Sequence, residues 1–221
     1  MSYGHIFSFL KDSNIDVWDR YVGHQFVQRL GDGKLPRNKF INYLKQDYIF
    51  LIHFSRAWGL AVAKTEYLDE MKFCADTISA LINTEMNLHI EICAQENITR
   101  EELSCTRENL ANMAYTRYVL EKGLSGDFLD LIVSLAPCIF GYGEIGARLS
   151  SGTFHKNYEP WIGTYGGKDY QATCQDVGRI LDTAFERRVG HPTDPAPRWD
   201  QLKSNFRVAT ELEIGFWDSN C

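Results

Sequence analysis

Residues 36–61 read PRNKFINYLKQDYIFLIHFSRAWGLA, and their periodicity decides the fold. Phe40, Tyr43, Leu44, Phe50, Leu51, Phe54, Trp58 and Ala61 recur mostly at three- and four-residue steps. That spacing lines them along one stripe of a long α-helix. Pro36 stands where a first-turn proline is favoured, because its fixed φ suits the helix and its missing N–H has no partner there. Asp47 lies inside the stripe, four residues after Tyr43 and three before Phe50. A buried carboxylate costs several kcal/mol unless it is paired or hydrogen-bonded. Asp47 is therefore either tied to a neighbouring helix or part of a functional site.

The same periodicity runs outward in both directions. Ile6, Phe9, Leu10, Val17, Trp18 and Tyr21 predict an N-terminal helix broken near Ser13, and Phe26, Val27 and Leu30 a short piece closed by Gly31-Asp-Gly33. A second long helix is expected from about Leu68 to Ala94, through Met71, Cys74, Ala75, Ile78, Leu81, Ile82, Leu88 and Ile92. Thr99 with Glu102 forms a capping-box signal. Leu110, Met113 and Ala114 mark the buried face of a helix that stops at Gly123, and Asp127 can cap the next, which carries Phe128 to Phe140. Residues 150–168 read as loop with one short helical turn near Trp161, followed by a helix from Asp169 to Arg187. The proline-rich stretch 191–197 reads as a loop, and the last helix runs from Trp199 to Trp217. Alternating strands, internal repeats and low-complexity segments are absent from this reading. With short connections, residues 1–221 are expected to form one all-α bundle.

Composition narrows the function classes. The chain has 221 residues, 44% of them hydrophobic and 24% charged, the balance of a globular protein. Its net charge is −6 and its longest basic run is Arg187-Arg188, which argues against nucleic-acid binding. No continuous apolar run approaches the ~18 residues of a membrane span. The first ten residues lack a basic segment ahead of their apolar ones, as a signal peptide would require. Six cysteines at wide, irregular gaps, without a CxxC, read as free thiols in a reducing compartment, and a cytoplasmic protein is expected.

Other polar groups interrupt apolar stripes besides Asp47. Glu213 lies four residues after Ala209 and three before Phe216. Two such acids on distant elements suggest a polar pocket. Cys138 follows Pro137, which removes a helical hydrogen bond, and precedes Gly141, Gly143 and Gly146, which permit close backbone approach. It is either an inert core thiol or one that faces a cavity. Tyr115, Tyr142 and Tyr165 are candidates for more than packing, Tyr165 because it sits in a glycine-rich loop. Carboxylates, a thiol and tyrosines together would suit a flat, nitrogen-rich aromatic ligand. Metal fits poorly. Paired Glu-x-x-His motifs of a di-iron bundle are missing, Glu85 and His89 read as a buried hydrogen bond, and His24, which could in principle hold haem iron, reads as a partly exposed side chain.

Several blocks in order resemble the TenA family, also called thiaminase II. They are His24-Gln-Phe-Val27, Gly33-Lys-Leu-Pro36, Tyr43-Leu-Lys-Gln-Asp47-Tyr48, Thr84-Glu-Met-Asn-Leu-His89, Ala114-Tyr115-Thr116, Leu135-Ala-Pro-Cys138 with Tyr142 and Glu144, Trp161-Ile-Gly-Thr-Tyr165-Gly-Gly167, and Glu213 with Phe216-Trp217. The resemblance covers nearly the whole chain. It implies a haem-oxygenase-like all-α bundle without haem, a homotetramer, and a role in thiamine salvage. The implied reaction converts 4-amino-5-aminomethyl-2-methylpyrimidine to the hydroxymethyl pyrimidine and ammonia, and in many members also cleaves thiamine. Cys138 places the chain in the cysteine-containing branch and matches the nucleophile. Glu213 matches the acid/base at the leaving group, and Asp47 the carboxylate that holds the pyrimidine. Tyr115, Tyr142, Tyr165 and Phe216 match pocket residues. Phe50 stands where a tyrosine is frequent in the family and keeps the ring's packing role.

The chemistry of the residues agrees with that resemblance. A soft thiolate adding to an electron-poor ring lets a poor amine leaving group depart with the ring electrons. A buried glutamic acid can protonate the amine. A carboxylate at the ring nitrogen stabilises the charge that develops there. No step requires a metal or cofactor, and the expected partner is a small pyrimidine. Two other classes remain open on the sequence: a non-catalytic thiamine- or pyrimidine-binding regulator, which would have no need of the thiol, and a haem-oxygenase-like oxidase.

Overall fold

The structure is a computed structural model that describes residues 3–152, 156–190 and 198–221. These residues form twelve α-helices and no strand. In chain order they are α1 (His5–Asp12), α2 (Ile15–Val22), α3 (Gln25–Gly31), α4 (Arg37–Lys64), α5 (Leu68–Ala80), α6 (Met86–Gln95), α7 (Arg100–Ser104), α8 (Leu110–Ser125), α9 (Phe128–Ser150), α10 (Glu159–Gly166), α11 (Lys168–Arg188) and α12 (Arg198–Asp218). A five-residue π-helical turn, Leu81–Glu85, joins α5 to α6.

Most of the expected punctuation is present. The first helix breaks at Ser13–Asn14. Thr99 and Glu102 form the reciprocal capping box. Asp127 Oδ1 accepts the Asp130 N–H at 3.1 Å, and Asp130 Oδ2 accepts the Asp127 N–H at 3.0 Å. Four expectations need correction. Pro36 is the N-cap of α4, with extended backbone, rather than a residue of its first turn. The second long helix is interrupted by the π turn, which rotates its apolar stripe, so Cys74, Leu81 and Ile92 are buried while Ile82 is exposed. Tyr165 lies on α10 instead of in a loop, because Pro160 sits in the helix's first turn and starts it. On α8 the expected face points outward, with Leu110 83% exposed. The buried face is Asn112, Tyr115, Thr116 and Val119. The donors of the polar members find acceptors there: Asn112 Nδ2 donates to the Gln46 carbonyl (2.8 Å) and Thr116 Oγ1 to the Asn112 carbonyl (2.8 Å), while Asn112 Oδ1 is buried with no hydrogen bond from the described residues. The stretch 191–197 lies outside the described residues.

The chain divides into two compact units, with the boundary inside α9 at Leu131–Ile132. The central unit, Pro36–Leu131, is built on α4, against which α5, α6, α7 and α8 pack. Gln46 fastens α8 to it. Its Nε2 donates to the Arg107 carbonyl (3.0 Å) and its Oε1 accepts the Asn109 N–H (3.0 Å), while Asn109 caps α8 through the Asn112 N–H (2.8 Å).

The other unit holds residues up to Leu35 and from Ile132 onward, with Asn220 assigned to the central unit. In it α1 packs on α11 and α2 on α12. Gly4 offers α1 no capping side chain, and Asp182 of α11 supplies it by accepting the His5 and Ile6 N–H groups at 3.0 and 2.8 Å. Rings fill the core: Phe7 meets Phe140 at 4.1 Å between centroids, and Trp18 stacks on Phe206 at 5.6 Å. Burying each such side chain contributes about 1.5–3 kcal/mol. Helix α9 is long and apolar enough to cross a membrane, although no continuous apolar run suggested one. Its most apolar window is 89% buried inside the protein, so that character serves the core.

Candidate active site

In the central unit, Asp47 and its surroundings are set by α4 and α6. Asp47 is 3% exposed. Its Oδ2 accepts the Tyr43 hydroxyl at 3.1 Å from one turn earlier, and lies 2.6 Å from His89 Nε2. His89 is fully buried, and its Nδ1 lies 2.9 Å from the Glu85 backbone oxygen. Burial opposes charge on this imidazole, but the charge and hydrogen bond of Asp47, joined by Glu85, outweigh it and raise its pKa. One turn after Asp47, Phe50 stacks on Tyr115 of α8, with centroids 5.1 Å apart. Both rings are buried. This unit thus offers a fixed acceptor on α4 and an aromatic pair shared between α4 and α8.

Sequence reasoning took His89 for one end of a buried hydrogen bond to Glu85 and missed its pairing with Asp47. Glu85 is four residues before it, but the partner on that side is the Glu85 backbone oxygen, and its other nitrogen meets Asp47, 42 positions away. The available signal was that Asp47 and His89 both fall among apolar neighbours on long helices, and each buried polar group needs a partner.

In the second unit, α9 carries Cys138 and Tyr142 one turn apart, α12 carries Glu213, Phe216 and Trp217, and α10 carries Tyr165. Cys138 is half-buried, whereas every other residue from Phe128 to Gly143 is buried. Gly146 follows two turns later, where a Cβ would run into the Tyr165 backbone, so the glycine brings α10 against α9. Tyr142 then meets Tyr165 edge-on at 4.9 Å, Trp161 at 5.8 Å and Trp217 at 5.4 Å. Phe216 lies 6.1 Å from Trp217. Glu213 is 1% exposed, one turn before Trp217.

Of the expected site residues, then, Tyr142 contacts Tyr165, and Phe50 contacts Tyr115. Asp47 bonds to Tyr43 and His89 and to none of the others. Three of the remaining thiols, Cys74, Cys93 and Cys174, are buried. Burial pushes Cys74 and Cys174 up to about 12 and Cys93 up to about 11, so they stay protonated at neutral pH. All six cysteines are free thiols. His24 is engaged as the cap of α3, its Nδ1 accepting the Phe26 N–H (3.2 Å) and its Nε2 lying 3.1 Å from Asp218. Among the described residues no group of three or more His, Cys, Asp or Glu could hold a metal ion.

Relatives of known name share both sequence and fold with this chain. An aminopyrimidine aminohydrolase from Halalkalibacterium halodurans is 32% identical over 205 residues, which cover 91% of this chain and 89% of that protein. The crystal structure of a protein described as a TenA family transcription regulator, from Silicibacter sp. TM1040, is 52% identical and superposes with a TM-score of 0.96 over 99% of this chain and 97% of that one. A Shewanella denitrificans domain with a heme oxygenase-like fold, 13% identical, matches 97% of this chain and 91% of its own with a TM-score of 0.72, a likeness of fold alone. The pattern of the TENA/THI-4/PQQC family spans residues 13–221, and the chain is a member of that family.

Proposed function

We propose that the protein is a thiamine-salvage hydrolase, an aminopyrimidine aminohydrolase of the thiaminase II type. Its substrate in this reading is 4-amino-5-aminomethyl-2-methylpyrimidine, with thiamine as a second candidate, and residues 1–221 act as one TenA-like domain. The observation that carries the reading is Cys138, the single opening in an otherwise buried stretch of α9, in a chain related to named aminohydrolases.

The steps follow from the groups. The Cys138 thiolate adds to a ring carbon, forming a C–S bond and moving an electron pair onto a ring nitrogen. Asp47 holds the pyrimidine at its ring nitrogen and amino group, and stabilises the charge that develops there. Glu213 gives its proton to the amine as the ring electrons return and expel ammonia, breaking the C–N bond. Water then adds to the exocyclic methylene and returns a proton to Glu213. Departure of the thiolate restores the aromatic ring. Phe50, Tyr115, Tyr142, Tyr165 and Phe216 supply faces and hydroxyls for a flat ring. A cytoplasmic homotetramer completes the proposal.

Ammonia release from the aminomethyl pyrimidine, with thiamine assayed separately, tests it. Wild type turns over and Cys138→Ser loses at least about a thousandfold in kcat while still binding the hydroxymethyl pyrimidine. Full activity in a folded serine variant would remove the thiol from the mechanism. The name of the Silicibacter protein favours a second reading, a pyrimidine-responsive regulator. Binding without any turnover by wild type would select it, although a net charge of −6 does not suit direct contact with DNA.

A further inference from the structure

We propose that His89 is a positioning residue for this hydrolysis: clamped between the Glu85 carbonyl and Asp47, it pairs with the Asp47 carboxylate through Oδ2 and orients it so that Oδ1 accepts an N–H donor of the aminopyrimidine. The inference rests on the reading of Asp47 as the pyrimidine-holding carboxylate.

The proton inventory of the imidazole leads to it. The Glu85 backbone oxygen can only accept, so Nδ1, 2.9 Å away, carries a proton. Nε2 faces a carboxylate oxygen at 2.6 Å, which also accepts. A ring with acceptors on both sides carries both protons and a positive charge. The raised pKa of His89 agrees with this. Among the described residues, the charged groups acting on His89 are Asp47 from α4 and Glu85 from the turn before its own helix; α7, also packed on α6, contributes none. The pair is net neutral, which makes burial of both tolerable.

The same contacts fix direction. Oδ2 takes both the Tyr43 hydroxyl and His89, whereas Oδ1 takes no hydrogen bond from the described residues. The carboxylate therefore presents one ionised acceptor to a ligand. That suits an exocyclic amino group or a protonated ring nitrogen, and disfavours a ring bearing a carbonyl oxygen at the same position. The π turn Leu81–Glu85 sets the aim of His89. It adds one residue to the helix, and without it everything after the turn would be rotated by about 100°.

Calorimetric titration with 4-amino-5-hydroxymethyl-2-methylpyrimidine and its 4-oxo counterpart, from pH 5 to 9, tests the proposal on wild type, Asp47→Asn, His89→Gln and His89→Leu. Wild type should prefer the amino compound, and Asp47→Asn should lose that preference. His89→Leu should weaken binding about 10- to 100-fold. Without the imidazolium to hold Oδ2, the preference for the amino over the 4-oxo compound should shrink as well. His89→Gln restores a donor to Oδ2 without the charge. It should recover part of the affinity and keep the reduced amino preference, a split that a merely structural role would not produce. Nitrogen NMR of the wild-type imidazole should show both ring nitrogens protonated from pH 6 to 8, which tests the charge without any variant. A neutral His89 in that range, or a full wild-type amino preference in His89→Gln, would overturn the proposal. If wild type binds neither pyrimidine, the reading of Asp47 falls and takes this inference with it. If Asp47→Asn is impaired but both His89 variants are normal, the inference alone fails.

Discussion

Helices α4 and α9 each carry one reactive group on an apolar face, and they treat it differently. Asp47 on α4 is 3% exposed and has its Oδ2 doubly engaged, by Tyr43 and His89. Cys138 on α9 is half-buried while its neighbours from Phe128 to Gly143 are closed off. The costs of burial explain the first. A carboxylate cannot go inside without partners, so α6 must bring one. They do not explain the second. A thiol is among the cheapest groups to bury, as Cys74, Cys93 and Cys174 show, so the opening at Cys138 is a property of the position and not of the side chain. One helix thus holds its polar group fixed by partners, and the other leaves its thiol accessible.

Three measurements beyond those above would break or sharpen this contrast. The largest effect is expected at Glu213, which like Asp47 is buried but which the proposed chemistry uses to move a proton. Glu213→Gln should lower kcat and kcat/KM together by about 10²–10⁴-fold, the range of general acid catalysis, with pyrimidine affinity nearly unchanged. A variant that melts earlier yet turns over normally per folded molecule would make Glu213 structural.

A smaller but more selective effect concerns the thiols. Iodoacetamide should modify Cys138 well before Cys74, Cys93 and Cys174, whose burial holds them protonated. Bound hydroxymethyl pyrimidine should slow labelling of Cys138 and leave that of exposed Cys105 unchanged. Peptide mapping reads both. Equal labelling with and without the pyrimidine would separate the opening on α9 from the ligand site.

The smallest effect belongs to a solvated carboxylate, the control for Asp47. Asp16 pairs with Arg207 at 2.7 Å on the surface, and its hydrogen bonds to that guanidinium lower its pKa to about 2. A depressed carboxyl pKa contributes stability above the ordinary carboxylate value and loses it as pH falls through the folded one. Solvent screens the pair, so at pH 7 Asp16→Asn should shift the melting temperature by less than about two degrees. The wild-type and variant curves should merge as pH drops to 2, whereas Asp47→Asn should destabilise clearly at pH 7. Equal effects at the two sites would mean that burial does not distinguish them.

The local chemistry of the chain was legible before the fold was. The stripe on residues 40–61, the stop at Ser13, the Thr99–Glu102 box and the Asp127 cap are decided by contacts within a few residues, and each stands where the periodicity put it. Asp47, Glu213 and Phe216 are buried, as their places in apolar stripes required. Two faces were misread for a common reason. On α8 the polar Asn112 and Thr116 go inside with their donors taken by Gln46 and the helix's own carbonyls, and a hydrophobicity pattern cannot see a partner 66 residues away. Past Leu81 one extra residue in a π turn rotates the helix, which no propensity at that stretch announced. The sequence by itself determined an all-α chain, its helix ends and which polar groups would need partners. Tertiary structure alone decided that the partner of Asp47 is His89 and that Cys138 is the open position on α9, because pairing and accessibility belong to helices brought together, not to any one of them.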